Sequence, residues 1–286
     1  MQNQKIGLFI NGRHEVKALT EEIIGVLHEK GKVAYLLKEQ AEELNLTSED
    51  YLLLEADFLA QIDLLVVIGG DGTFLKAAEL VHKVGTPLLG INKGRLGFLS
   101  ELEAKDFSKA LDCLLAGFYE LEARMMIHVA LYRESECIAE GVGLNDITLN
   151  RDPIEVTLSC ETYLAKEKIA SYLGDGLIVA TPTGSTGYSL SVGGPLIYPG
   201  TDCFIITPIA PHSLGTRPVI VPAESEINVY LHEMIKKAYL FCDGRLVLEL
   251  KGRDKICLSR AKEVINLVHL RPHRFFETVS TKLLSH

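Results

Sequence analysis

Residues 64–68, Leu-Leu-Val-Val-Ile, run without a break into Gly69-Gly70-Asp71-Gly72-Thr73, and this junction restricts the fold more than any other part of the chain. Five apolar residues rich in Val and Ile read as a strand buried on both faces, which belongs in a parallel sheet. Three glycines within four residues then allow a tight turn and a close approach of backbone to ligand. Thr73 is placed to cap a helix over Phe74–Val84, whose free N–H groups favour anions. Into this phosphate-sized cradle the chain puts one carboxylate, Asp71. A carboxylate among bare donors repels phosphate unless it handles a metal ion or takes a proton from an attacking hydroxyl. An ordinary turn with a solvated Asp has no use for three glycines, each of which costs backbone entropy.

The same alternation of strand and helix runs through the first 120 residues. Lys5–Ile10, Lys32–Leu37 and Thr86–Ile91 read as further strands, and Glu15–Lys30 and Lys105–Ala116 as amphipathic helices. Such alternation implies parallel β-α-β units with ligands outside the carboxyl ends of the strands. Near Tyr119 the period changes. Ile154, Val156, Leu158, Cys160, Thr162 and Leu164 alternate with polar neighbours, as do Ile227, Val229 and Leu231, and Val247, Leu248 and Leu250 less cleanly. Short strands between turn residues predict an all-β second part. The expected architecture is α/β plus all-β. A Rossmann-like α/β domain over residues 1–120 precedes a β-sandwich-like domain over 121–270, and a C-terminal helix in 271–286 returns to the first domain.

Composition narrows the function. At 286 residues the chain can hold two domains, each with its own core. A net charge of −9 argues against a nucleic-acid binder, which wants a basic face. An acidic protein that handles nucleotides must concentrate its cations locally or recruit a metal ion. No apolar run approaches the ~20 residues of a membrane span. The polar start, Met1-Gln2-Asn3-Gln4-Lys5, reads as no signal peptide, so the expected location is cytoplasmic. Cysteines 113, 137, 160, 203, 242 and 257 are too scattered for a disulfide or zinc framework.

Four more segments carry candidate chemistry. Asn92–Leu99 is a second glycine-bearing loop with two cations, Lys93 and Arg95. Leu144-Asn145-Asp146-Ile147 holds an Asn-Asp pair, by itself a common turn dipeptide, whose carboxylate can accept from two vicinal hydroxyls while Asn both donates and accepts. The run from Asp175 to Ser191, Asp-Gly-Leu-Ile-Val-Ala-Thr-Pro-Thr-Gly-Ser-Thr-Gly-Tyr-Ser-Leu-Ser, reads as a loop of small and hydroxyl residues. There Thr183, Ser185, Thr186, Ser189 and Ser191 supply short donors, Gly184 and Gly187 let a flat base lie on backbone, and Tyr188 offers a ring face. Pro208–Pro218 contains Ala210, His212 and Arg217, and Asp243-Gly244-Arg245 follows later. There is no Walker A sequence, no complete dinucleotide fingerprint and no His-Glu-x-x-His or Cys-x-x-Cys. His269 and His273, near Arg271 and Arg274, read as a surface cluster rather than metal ligands.

The pentapeptide Gly69–Thr73 resembles the segment shared by NAD kinases, 6-phosphofructokinases and the diacylglycerol and sphingosine kinases. By itself it says phosphotransferase and leaves the acceptor open. The Asp175–Ser191 run resembles the long motif of NAD kinases, and the Asn92–Leu99 loop, the Asn145–Asp146 pair and the His212-to-Pro218 segment follow that family in order. The resemblance implies transfer of the γ-phosphoryl of ATP, or in some members of inorganic polyphosphate, to the 2′-hydroxyl of the adenosine ribose of NAD. It implies Asp71 as the base, with Gly69, Gly70, Gly72, Thr73 and Lys76 around ATP phosphates and Mg²⁺ or another divalent cation. For NAD it implies Asp71, Gly72, Asn145, Asp146, Asp175, Thr183, Thr186, Gly187, Tyr188, Ser189, Leu190, Ser191, Ala210 and Arg245. The two domains would form the cleft between them in a homodimer or homotetramer. Relatives usually have Ala at the position of Gly187 and Gln at that of Arg245. A lipid kinase would share Gly69–Thr73 but has no use for the dinucleotide run, and a non-catalytic NAD sensor would not need Asp71 and its glycines.

Overall fold

The structure, a computed structural model, describes residues 5–10, 16–46, 51–54, 59, 62–92, 97–270 and 275–284, with 51–54 and 284 as backbone alone. The chain divides into two compact units, Met1–Ala123 with Ile265–His286, and Arg124–Val264.

The first unit is built on strands β1 (Ile6–Ile10), β2 (Ala34–Leu37), β3 (Tyr51–Leu54), β4 (Leu64–Ile68) and β5 (Leu88–Asn92), in the order β3-β2-β1-β4-β5. Each pairing along this run is parallel. A two-residue strand, β6 (Leu102–Glu103), adds in parallel to β5. β1 and β4 are buried at all five positions, which explains why β4 is apolar without alternation. Helices α1 (Lys17–Glu29), α2 (Lys38–Glu43), α3 (Asp71–Val81) and α4 (Phe107–Ala116) follow β1, β2, β4 and β6. α1 buries Leu19, Ile23, Ile24 and Leu27 and α4 buries Phe107, Ala110, Leu111 and Leu114, one stripe each at helical spacing. Gly117, at φ 79°, stops α4 in the left-handed conformation that glycine adopts without strain. Strand order reverses between β1 and β4, so the glycine turn after β4 lies where ligands bind in such sheets.

The second unit is formed by β7 (Glu120–Arg133), β8 (Glu136–Gly143), β9 (Asp146–Arg151), β10 (Leu158–Leu164), β11 (Glu167–Gly174), β12 (Gly176–Ala180), β13 (Cys203–Ile209), β14 (Val219–Pro222), β15 (Ile227–Leu231), β16 (Ala238–Cys242), β17 (Arg245–Leu250) and β18 (Lys255–His269). A short helix, α5 (Tyr188–Ser191), follows β12. One sheet has the order β14-β13-β12-β9-β16-β17 and is antiparallel throughout. The other carries β11-β10-β15-β18, also antiparallel, with the β7–β8 hairpin beside β18. Ile147, Leu149, Leu177 and Val179 from the first sheet and Leu158, Cys160, Val229 and Leu231 from the second share one core, the face-to-face packing of a sandwich. On the other side of β12, Ile178 and Ala180 pack with Ile205, Val192 and Ile197. β12 is therefore buried on both faces. The last residues of β18 return to the first unit, where Leu267 pairs in parallel with Leu88. Helix α6 (Phe275–Val279) and a π-turn over Ser280–Leu284 close that unit, and Lys282 Nζ lies 4.8 Å from the centre of the Phe98 ring.

Several local expectations change. Ile154 and Val156 do not continue the inward row of β10, for they are 93% and 85% exposed. They sit in the turn that Asp152 closes by accepting the N–H of Ile154 at 2.8 Å. The Asp175–Ser191 run is not a loop at its start, because residues 176–180 are the buried strand β12. The helix expected over Phe74–Val84 begins at Asp71 and ends at Val81.

Candidate active site

In the first unit β4 ends at Ile68 and α3 begins at Asp71, so Gly69 and Gly70 are the whole connection. Gly69 has φ +154°, and a Cβ there would lie 2.5 Å from Thr73 Oγ1 and 2.8 Å from Thr73 Cβ. The fold itself demands this glycine. Thr73 is consequently not the cap: it is the third residue of α3, buried under Gly69, and Gly70 holds the N-cap position. Gly70 and Gly72 differ from Gly69, since a Cβ on either would meet nothing within 4 Å among the described residues. Glycine inside a helix costs roughly 0.5–1 kcal/mol relative to Ala, and at Gly72 packing among the described residues supplies no reason for it. The N–H groups of Thr73 and Phe74 go to the carbonyl of Gly70, at 2.9 and 3.1 Å. The N–H of Gly69 goes to the carbonyl of Ile91 at 2.9 Å, which leaves the N–H groups of Gly70, Asp71 and Gly72 for an anion.

Asp71 is held from one side by the loop after β5. Its Oδ2 accepts the N–H of Phe98 and its Oδ1 that of Leu99, both at 3.2 Å. The loop comes this near because residue 97 is glycine: a Cβ there would collide with Asp71 Oδ1 and Ser100 Oγ. The N–H of Gly97 donates to Ser100 Oγ at 2.6 Å. Lys76 is exposed on the second turn of α3. Lys93, Gly94, Arg95 and Leu96 lie outside the described residues.

In the second unit the Asn145–Asp146 pair opens β9. Gly184 packs on the backbone of Asn145, and any side chain there would strike the Asn145 carbonyl. A Cβ at Gly187, the N-cap of α5, would lie 3.5 Å from Asn145 Nδ2 and 3.8 Å from Asp146 Oδ2. The structure thus joins the pair to the Thr183–Ser191 segment. Asn145 Oδ1 is buried and has no hydrogen-bond partner among the described residues, an unmet acceptor of the kind a ligand satisfies. Asp146 is 7% exposed. Burial, then the nearby charge of Asp243, push its carboxyl up to about 6, against a hydrogen bond from Thr148 Oγ1 at 3.0 Å.

The hydroxyls of the run divide into two sets. Thr181, Ser185 and Ser189 are fully buried and knit the segment together: Ser185 Oγ accepts the N–H of Ile197 at 2.9 Å, and Ser189 Oγ meets Thr207 Oγ1 at 2.9 Å. Thr183 is buried, with Arg124 Nη1 3.4 Å from its Oγ1. Thr186, Gly187 and Leu190 are partly open, and Tyr188 and Ser191 are exposed. Asp175 is half-exposed and gives one oxygen to Arg151 Nε at 2.6 Å. Ala210, at φ +44°, is exposed just beyond β13, and Arg245 is exposed at the start of β17. His212 and Arg217 are both exposed. His269 is not on the surface: its Nδ1 lies 2.8 Å from Glu101 and its Nε2 2.7 Å from Glu122. Burial alone would lower it, but the two carboxylates outweigh this and raise it to about 9. Arg271, His273 and Arg274 lie outside the described residues.

Sequence reasoning passed over Asp243. Its oxygens accept the N–H groups of Leu144, Asn145 and Asp146 at 2.8, 2.8 and 3.0 Å. A signal was present, because Asp-Gly between two alternating apolar runs marks a two-residue hairpin. That signal places the turn but does not say what its carboxylate grips.

Residues 6–119 match the ATP-NAD kinase N-terminal domain and residues 144–270 the ATP-NAD kinase C-terminal domain. An NAD kinase of Moorella thermoacetica is 39% identical over 281 residues, covering 98% of this chain and 89% of that protein. One of Geotalea daltonii is 40% identical over 233 residues, 82% of each. Yeast NADH kinase, solved with NADH, superposes with a TM-score of 0.88 at 26% identity, covering 99% of this chain and 88% of that one. An NAD kinase from Archaeoglobus fulgidus, solved with ATP, shares the fold with a TM-score of 0.75 at 24% identity, over 99% and 100% of the two chains. Matched in both of its units and along nearly its whole length, the chain belongs to the ATP-NAD kinase family.

Proposed function

We propose that the glycine turn of the first unit and the Asn145–Gly187 region of the second serve one reaction, phosphorylation of NAD by ATP to give NADP. Membership of the family sets that reaction. Two features support it, each within its own unit and each among the described residues: side-chain-free space at Gly70 and Gly72, and an unmet buried acceptor at Asn145.

The acceptor is the 2′-hydroxyl of the adenosine ribose. Asp71 takes its proton as its oxygen attacks the γ-phosphorus and ADP leaves. The transition state of such a transfer needs positioning and charge neutralisation more than covalent help. Gly70 and Gly72 bring bare backbone to the phosphates, Gly69 serves by letting the chain turn over Thr73, and Lys76 adds a cation on the same helix. Thr73 serves by shaping the turn. Asn145 and Asp146 hold the ribose and base, and Asp175, Thr183, Thr186, Gly187, Tyr188, Ser189, Leu190, Ser191, Ala210 and Arg245 complete the NAD site. Of these, Ser189 acts from the interior, through the position it gives Tyr188 and Leu190.

The residues present suit a divalent cation, Mg²⁺ or another, that enters with ATP. Among the described residues no group of three or more His, Cys, Asp or Glu could hold a metal by itself. Mg²⁺ on a nucleotide needs only one or two protein carboxylates, and Asp71 is such a group at the cradle. When bound, the ion neutralises charge on the β- and γ-phosphates. Among the described residues no helix is long and apolar enough to cross a membrane. Action on small nucleotides in the cytoplasm, as a homodimer or homotetramer and without nucleic acid or membrane, completes the proposal.

The test offers purified protein Mg-ATP with NAD, or with a diacylglycerol or sphingoid acceptor. NADP should appear, read by an NADP-specific dehydrogenase, and the lipids should stay unmodified. Phosphorylated lipid without NADP would overturn the reading.

A further inference from the structure

We propose that Asp243 is a positioning residue for NAD recognition, fixing the backbone of Leu144, Asn145 and Asp146 and so the aim of the two side chains that read the nucleoside. This rests on the assignment of Asn145 and Asp146 to NAD.

Three consecutive N–H groups converge on one carboxylate, at 2.8, 2.8 and 3.0 Å. The N–H of Asp243 in turn donates to the carbonyl of Asp146 at 2.9 Å. The opposite edge of the same segment is held by Thr181, whose N–H reaches the carbonyl of Asn145 at 2.8 Å and whose hydroxyl reaches that of Leu144 at 2.6 Å. The peptide groups of the segment are thus pinned from both sides, while the acceptor oxygen of the Asn145 side chain stays unmet among the described residues.

The carboxylate is more than the turn requires. Asp243 and Gly244, at φ +47° and +74°, are the two central residues of the β16–β17 hairpin. Asn fits such a turn as well as Asp. What Asp offers beyond Asn is a second acceptor oxygen and a charge, and three N–H groups divide between its two oxygens here. The charge is set close to Asp146 and works against ionisation of that group, while burial pushes Asp243 itself above the usual carboxylate range against the three N–H bonds it accepts. A merely structural turn would have no reason to accept that cost. The neighbouring backbone is also cleared for it, since a Cβ at Gly143 would lie 3.1 Å from Asp243 Oδ1 and 2.9 Å from Cys242 Sγ.

Asp243→Asn preserves the left-handed turn and removes one acceptor oxygen. It should raise KM for NAD about ten-fold or more, with KM for ATP changed less than about two-fold. Because Asp243 acts through Asp146, adding Asp146→Asn to Asp243→Asn should raise KM for NAD by less than the product of the two separate changes. Equal effects on both substrates, a loss confined to kcat, or multiplicative effects in the double variant would overturn the proposal. Should Asp243→Asn not fold, Asp243→Glu, which keeps the charge but moves the oxygens outward, is read by the same split. Asn145→Ala and Asp146→Asn separate the two failures. If they leave KM for NAD unchanged, the assignment of the pocket falls; if they raise it while the Asp243 variants do not, only the positioning role falls.

Discussion

The N–H of Leu99 donates to Asp71 Oδ1 at 3.2 Å, tying the loop beyond β5 to the first residue of α3. With the parallel bond from Phe98, this orients the carboxylate before any ligand arrives, and each oxygen keeps a lone pair for an incoming proton. The same turn separates glycines that serve the fold from glycines that serve a ligand.

Gly72→Ala should therefore leave the fold as stable or raise it by about 0.5–1 kcal/mol, yet raise KM for ATP about ten-fold, because the methyl fills space meant for phosphate. Gly70→Ala should impair ATP in the same way. Gly69→Ala should instead destabilise by about 1–3 kcal/mol through collision with Thr73. Thermal midpoints and substrate kinetics of the three variants check this, and an unchanged KM for ATP in both Gly70→Ala and Gly72→Ala would remove the cradle.

A Cβ at Gly187 would lie 3.2 Å from the carbonyl of Gly184, 3.5 Å from Asn145 Nδ2 and 3.8 Å from Asp146 Oδ2. Alanine fits with a small adjustment and should stay within about two-fold of the parent in KM for NAD. Leucine has no room beside the pair. Gly187→Leu should raise KM for NAD about ten-fold or more, with KM for ATP unmoved. Steady-state kinetics with each substrate varied separately decides the point.

Asp146 gives a pH dependence with a definite sign. Its folded carboxyl lies near 6, above the ordinary range, so the folded state binds the proton more tightly than the unfolded one. Stability then falls as pH rises from about 4 through about 6, and above that the ionised group costs up to ~3 kcal/mol. Asp146→Asn should raise the thermal midpoint at pH 8 and give little gain at pH 4. A lower midpoint at pH 8 would show that the carboxylate stabilises the fold.

His269 behaves in the opposite sense. Held near 9 by Glu101 and Glu122, it contributes stability that is complete below about 6.5 and lost as pH rises through about 9. His269→Gln should lower the thermal midpoint at pH 6.5, by an amount equivalent to ~3 kcal/mol, with the gap closing above pH 9. A gap that stays constant with pH would mean the imidazole is held for its shape and not its charge.

The first unit was readable because its elements declare themselves locally. β4 is apolar throughout and α1 and α4 each carry one apolar stripe, and both patterns survive in the fold. The sandwich was readable as a class but not strand by strand, because β12 is covered on both faces and so lacks alternation. Ile154 and Val156 misled for the reverse reason: alternation continued into a turn whose geometry Asp152 imposes. Asp71 stood out as the one charge among bare donors. Asp243 did not, since its partners lie 97 to 99 positions away and only the pairing of β9 with β16 brings them together. The interior hydroxyls of Ser185 and Ser189 look in sequence like those of Thr186 and Ser191, and burial alone separates them.

The most direct test of the account is NADP formation by Asp71→Asn at saturating Mg-ATP and NAD, with NAD affinity measured by calorimetry on the same sample. Removing a general base typically costs about 10²–10⁴ in rate. Turnover should fall by that factor while NAD still binds within a few-fold of the parent. A variant that keeps more than about a third of the parent turnover, well outside the loss expected for a general base, would contradict the assignment of Asp71 to the chemistry.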